Sequence, residues 1–140
     1  MRAITLQTET TRPRPGVYAY LADLTTMVAW TGVVRSCELV SGAVGVPGSV
    51  YRQTLDIGGT EYAGTIELTL AEADRCLVTV ARVGPIKLTT TFELSDATPA
   101  GTHVGMALDP GVAGLALAPM FRSGGEVDIE TLRQRLDAPD

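Results

Sequence analysis

The sequence predicts an α+β fold, a curved antiparallel sheet with a few helices, and three observations carry that prediction. One strand-like segment stands alone near the start. Two short helical segments follow it. From Val33 to Asp109 the chain then reads as strand after strand joined by tight turns, before a last helical segment. With 140 residues, 45% of them hydrophobic and 19% charged, the chain suits one globular domain spanning residues 1–140.

The first element is "AITLQTE" (3–9), whose apolar and polar residues alternate with the period of a strand. In "TRPRPGVYAYLADLTTMVAW", Pro15 suits a first helical turn, where its missing N–H is no loss. Val17, Leu21 and Leu24 then recur at i, i+4 and i+7, one face of a short helix. A second short helix is expected from about Thr25 to Trp30, ended by Gly32. The strands that follow are "VVRSCELV", "SVYRQTLDI", "TEYAGTIELTL", "CLVTVARV", "IKLTTTFEL" and "THVGMAL". Between them stand Gly-Val-Pro-Gly, Gly-Gly, Ala-Asp-Arg, Gly-Pro and Asp-Ala-Thr-Pro-Ala-Gly, residues that reverse a chain. Connections this short make neighbouring strands antiparallel. In the last segment Ile129, Leu132 and Leu136 form a helical stripe, and Ser123 with Glu126 has capping-box spacing. Gly124 and Gly125 are poor helix formers, so a break or kink is expected there.

The formal net charge is −5, from 16 acids and 11 bases, which argues against nucleic acid or an anionic membrane as partner. The bases are nearly all arginine, with Lys87 the only lysine, as in GC-rich bacterial coding. Cys37 and Cys76 form no CxxC or Cys/His cluster, and a reduced pair is expected. The opening "MRAITLQTET" turns polar too early for a secretory signal, and "GVAGLALAPMF" (111–121) is too short to span a bilayer. A cytoplasmic protein without membrane insertion is expected. His103 is the sole histidine, so neither a metal site nor a histidine relay is indicated, and no cofactor is implied.

The hairpin "SVYRQTLDIGGTEYAGTIEL" (49–68) is registered by its two-residue Gly58–Gly59 turn. Counting outward sets Ile57 against Thr60, Leu55 against Tyr62, Gln53 against Gly64 and Tyr51 against Ile66, all on one face. Arg52 falls on the other face, with Thr65. The first face is apolar apart from Tyr51, Gln53 and the Tyr62 hydroxyl, the composition of a small-molecule wall. Gly64 leaves room opposite Gln53. By the same alternation Phe92 shares a face with Leu88, Thr90 and Leu94, and Met106 with Val104 and Leu108. Arg82, near its strand end, is a candidate to reach the cavity mouth and anchor a carboxylate or enolate.

This order of elements resembles the SRPBCC superfamily, the helix-grip fold shared by START domains, birch-pollen-type allergens and polyketide cyclase/dehydratases. The resemblance rests on "PRPGVYAYLADLTTMVAW", similar to the family's opening helix and Trp-bearing second helix, on "GVPGSVYRQ…GG…Y…G", and on "TTTFEL…AGTHVGMAL". It implies a sheet of about seven strands gripping a C-terminal helix, which here looks short or interrupted. It also implies that Trp30, Met120 and Phe121 lie near the rim. Aromatase/cyclases of the family polarise a polyketide carbonyl with an arginine at or within one residue of Arg52, but the register sends Arg52 outward. The implied partner is a hydrophobic, carbonyl-bearing small molecule. Two roles stay open: a cofactor-independent cyclase/dehydratase using Tyr51, Gln53 and Tyr62 as catalytic groups, or a non-catalytic carrier. Leu55, Gly64, Ile66, Arg82, Phe92 and Met106 join Trp30, Met120 and Phe121 as candidate ligand contacts. A protein-interaction module, and a homodimer, also stay open.

Overall fold

A computed structural model describes residues 3–138. Its elements are β1 (Ile4–Thr10), α1 (Arg14–Ala22), a 3-10 turn (Leu24–Thr26), α2 (Met27–Trp30), β2 (Val34–Ser41), β3 (Val50–Ile57), β4 (Thr60–Glu72), β5 (Cys76–Val83), β6 (Ile86–Asp96), β7 (Thr102–Asp109), a second 3-10 turn (Leu115–Leu117) and α3 (Ala118–Asp137). The strands form one seven-stranded antiparallel sheet in the order β1-β7-β6-β5-β4-β3-β2. Each of β2 to β6 pairs with its successor through a short connection, while β1 closes onto β7 at the far edge. Helices α1 and α2 carry the chain from the β1 edge to the β2 edge.

Pro15 sits in the first turn of α1, and Val17, Leu21 and Ala22 are buried. Leu24 lies beyond that helix, because the Asp23 carboxylate accepts from the Thr25 amide (3.1 Å) and hydroxyl (2.6 Å) and starts the 3-10 turn. Arg14 ties α1 to the closed end of the sheet through Asp96 (2.8 Å) and the Asp74 carbonyl (3.0 Å).

The expected break in the last helix does not occur: α3 runs without interruption from Ala118 to Asp137. Ser123 is inside it rather than capping it, and Pro119 occupies its first turn. The reason is tertiary. A Cβ on Gly125 would lie 2.6 Å from Leu6 Cδ1 and 3.1 Å from Leu108 Cδ1, so this glycine lets the helix backbone settle onto β1 and β7. Burial of Ile129, Leu132 and Leu136 on the same face outweighs the roughly 1 kcal/mol per glycine of unfavourable propensity. The C-terminal end of α3 is also clasped. Asp137 accepts from the Thr10 hydroxyl (2.5 Å), the Thr11 amide (3.0 Å) and Arg133 (2.8 Å), while Arg12 Nε donates to the Leu136 carbonyl (2.9 Å).

Candidate functional site

The ladder registers line up rows of side chains across the inner face. One row joins Leu68, Thr79, Thr90, Leu108 and Ile4, all buried, with Ser49 at its β3 end. The next row toward the hairpin tips is Tyr51, Ile66, Ala81 and Leu88. Tyr51 and Ile66 are fully covered, whereas Ala81 and Leu88 are half-exposed. Beyond it lie Gln53 and Gly64, then Leu55 and Tyr62, with Val83 and Ile86 closing β5 and β6. The grip is therefore filled on the side of α2 and of the C-terminal half of α3. It opens toward the tips of β4, β5 and β6.

The hairpin pairing is the one counted from its turn, down to Gln53 against Gly64. Tyr51 is 0% exposed and Gln53 1%. Burial first, and the nearby Asp23 carboxylate second, push the Tyr51 phenol pKa above its usual value, so the hydroxyl stays protonated. Ser49 and the Leu24 backbone lie near enough to favour its ionised form slightly, yet neither meets hydrogen-bond geometry with it. Among the described residues, Trp30 Nε1, Ser49 Oγ and Tyr51 Oη are the buried side-chain atoms left without a hydrogen-bond partner. Native interiors rarely leave such groups unpaired. Gln53 Nε2 has only soft partners, Met27 Sδ and Cys37 Sγ, each at 3.6 Å. Trp30 is 5% exposed and meets Phe92 edge to face, with ring centroids 6.1 Å apart. Tyr51 and Trp30 are thus two buried donors without a hydrogen-bond partner, Tyr51 with the Ser49 hydroxyl and the Asp23 carboxylate nearby, and a hydrogen bond made to such a buried donor is stronger than one made in water.

Other sequence-chosen residues are scattered differently. Ile66, Leu55, Phe92 and Met106 are buried on the inner face. Trp30 is in the core rather than at a rim, while Phe121 is half-buried against that core and Met120 is exposed. Tyr62 is on the expected face but 44% exposed, beyond the covered part of the grip, so it does not converge with Tyr51. The room at Gly64 is occupied: a Cβ there would lie 2.8 Å from the Arg82 carbonyl oxygen and 2.9 Å from Val83 Cγ2. Arg82 is exposed on the outer face, opposite Thr65. Its placement follows from a bulge between Leu68 and Leu70. Continued from Glu72 against Cys76 without that bulge, the ladder would set Arg82 against Ile66, on the inner face. Arg52 is exposed and paired with Glu38 at 2.7 Å.

Sequence reading missed Ser49 and Thr79, both buried on the inner face, and named Thr90, the partner of Thr79, only as sharing the face of Phe92. Ser49 shares the parity of Tyr51 and Gln53, which was the available signal. A surface depression of about 400 Å³, lined by Glu72, Cys76, Glu93 and His103 among others, lies outside the grip. Glu93, Ser95, His103 and Gly105 of its lining stand on the opposite parity from Phe92 and Met106, so it does not bear on this site.

The family described as "Polyketide cyclase / dehydrase and lipid transport" matches residues 1–138. The chain belongs to that family. No curated protein matches it by sequence. Among solved structures it is similar to a START superfamily protein from Mycobacterium smegmatis, with 15% identity over 97% of both chains and a TM-score of 0.81. It is also similar to the Zhui aromatase/cyclase from Streptomyces sp. R1128, with 14% identity over 96% of this chain and 93% of the other, and a TM-score of 0.77. Major latex-like protein 151 from Panax ginseng matches at 12% identity over 98% and 97% of the two chains, with a TM-score of 0.73. At these identities the likeness is one of fold: a helix-grip sheet around a long C-terminal helix. No helix among the described residues is long and apolar enough to cross a membrane.

Proposed function

We propose that this protein is a cytoplasmic, bacterial enzyme of polyketide cyclase/dehydratase type. It takes a hydrophobic, carbonyl-bearing small molecule into the grip and promotes its cyclisation or dehydration. The observation that carries this reading is the buried, unpartnered Tyr51 hydroxyl in an apolar interior, with the equally unpartnered Trp30 N–H as a second donor. In a cyclisation, an enol carbon bonds to a carbonyl carbon, and the carbonyl oxygen takes up negative charge and then a proton. A protonated Tyr51 donating to that oxygen stabilises the charge as it develops, most strongly where water is excluded. The aliphatic wall limits the shapes a flexible substrate can take and so favours ring closure. Family membership and the fold shared with an aromatase/cyclase support the reading.

A second reading is a carrier for the same kind of ligand. Gln53 spends its amide on two sulfurs, and Tyr62 stands away from Tyr51, which leaves binding groups without an evident base. Native mass spectrometry of the purified protein tests for a co-purifying hydrophobe, and that molecule or its open-chain precursor then serves as substrate. An enzyme loses turnover in Tyr51→Phe while still binding. A carrier converts nothing in either form. A protein that stays empty and takes up no hydrophobic probe contradicts both readings.

A further inference from the structure

The outer face of the sheet carries charge that the fold leaves unbalanced. Arg82 on β5 and Lys87 on β6 stand directly opposite each other, as the last outward pair before the Gly84–Pro85 turn. Like charges so placed repel. Both are exposed, and among the described residues neither makes an ion pair, whereas Arg14, Arg35, Arg52, Arg75 and Arg133 each have a carboxylate partner. At the other end of the same two strands, Glu93 on β6 is exposed and equally without an ion pair. Glu72 and Glu93 flank Cys76 there, in the surface depression of about 400 Å³. The cations of that lining are already engaged, Arg75 by Glu72 at 2.8 Å and His103 beside Glu9 at 3.6 Å.

Between these two ends the face is apolar where a solvated face is ordinarily polar. On β5 the outward residues are Val78 and Val80, and the inward residue between them is Thr79, an inverted alternation. Apolar residues on the outward side are the pattern of a strand covered on both faces. Thr89 and Thr91 stand beside the valines on β6, and Ala107 beside Thr91 on β7. The two charged ends are also related by symmetry. Thr79 and Thr90 are ladder partners. Take a two-fold axis that runs across the strands below that pair, just outside the outer face. It sets Val78 of one copy against Val80 of another, Thr89 against Thr91, and Lys87 against Glu93. Arg82 then faces Cys76, between Glu72 and Glu93. Packed sheets cross at about 30°, so residues about 10 Å from the axis are displaced by about 5 Å, one strand spacing. A flexible lysine or arginine stem spans that distance.

We propose that the outer face is a homodimer interface, on which a second copy of this chain packs face to face with its strands reversed, each copy's Arg82 and Lys87 reaching the other's Glu72 and Glu93. The same contact made twice closes the assembly at two copies. The opposed cations gain carboxylates in place of mutual repulsion, and the central valines lose their contact with water. The outer face is the convex side of the sheet, which confines contact to these rows. They span β4 to β7, about 20 Å across, and about 20 Å along the strands, so about 400 Å² from each copy. A total of about 800 Å² is small for a stable dimer, so the association is weak and salt-sensitive, with a Kd of about 10–100 µM. Both grips face away from the interface, which therefore forms whatever they hold.

Sedimentation velocity of the whole protein from about 5 to about 500 µM, in about 20 mM and about 500 mM salt, tests it. In low salt the wild type is expected to pass from monomer to dimer over that range, and in high salt to stay largely monomeric. Lys87→Glu and Glu93→Lys each set like charges against one another across the axis, and each should weaken association by about tenfold or more. Both positions are exposed, so neither change disturbs the fold. An equimolar mixture of the two variants recreates opposite-charge pairs at both ends. Its association should return to within about threefold of wild type, as should that of the Lys87→Glu/Glu93→Lys double variant. A wild type that is still monomeric at about 500 µM in low salt overturns the proposal. So does a dimer that Lys87→Glu leaves unchanged, or a mixture that associates no better than the separate variants.

Discussion

Replacing Tyr51 with phenylalanine should stabilise the free protein while weakening its grip on ligand. The wild-type ring is fully covered and its hydroxyl meets hydrogen-bond geometry with neither Ser49 nor the Leu24 backbone nearby, so folding strips water from a polar group for little return. Protein mutational data put that penalty at about 1–3 kcal/mol. Deleting one oxygen leaves little new space, so most of the penalty should be recovered, and about 1 kcal/mol is a conservative expectation. For a domain of this size that raises Tm by about 3 °C. Urea denaturation at neutral pH, with the slope unchanged, measures it directly. Ligand affinity should move the other way, by about 2–10-fold for one lost hydrogen bond. If Tyr51→Phe destabilises the free protein by 0.5 kcal/mol or more (~0.5 kcal/mol being half a typical hydrogen bond), the hydroxyl is satisfied in the folded chain and the argument for a ligand-facing donor fails.

Burial also holds Asp128 above the usual carboxylate range, opposed only by the Gly32 amide it accepts from at 2.8 Å. Asp128→Asn keeps that acceptor and sheds the charge, so it should leave stability at pH 7 equal or up to about 1 kcal/mol higher, whereas Asp128→Ala should lower it. Asp137 is held below the usual range, first by the Thr10 hydroxyl and then by the Thr11 amide and Arg133. A lowered folded pKa contributes stability above the unfolded value, so this part should fade as pH falls below about 4, and Asp137→Asn should flatten that limb of a stability–pH curve. The phenols of Tyr18, Tyr20 and Tyr51 are raised by burial, so their contribution is complete below about pH 10 and is lost as pH rises through the folded values. Alkaline denaturation of wild type and Tyr51→Phe should therefore diverge above about pH 10. Gly125→Ala should destabilise by about 1–2 kcal/mol by overpacking Leu6 and Leu108, read by thermal melting.

How much of this was legible beforehand depended on whether local geometry or distant packing made the choice. The Gly58–Gly59 turn fixes the β3–β4 register by itself, so the faces of Tyr51, Gln53 and Arg52 followed from counting. Arg82 did not, because a one-residue bulge in β4 decides its side and nothing in the sequence around Leu68 marks it. The helix through Gly124 and Gly125 misled for a related reason: propensity is local, while the cradle of Leu6 and Leu108 that accepts Gly125 comes from strands at the two ends of the chain. Exposure of Tyr62 was hidden too, since alternation reports which way a side chain points and not whether another element covers it. The unpartnered hydroxyl and indole became visible only with the packing around them.

Trp30 is the sole tryptophan, so its indole N–H gives one assignable nitrogen–proton resonance inside the grip. Titrating the protein with 1-tetralone and with tetralin, which lacks the carbonyl, compares two ligands of nearly one shape. Following that resonance, the account predicts tighter binding of the ketone by about fivefold in the wild type, a downfield indole shift with the ketone alone, and loss of the preference in Tyr51→Phe. Equal affinity for the two compounds, or a preference that survives in Tyr51→Phe, contradicts it.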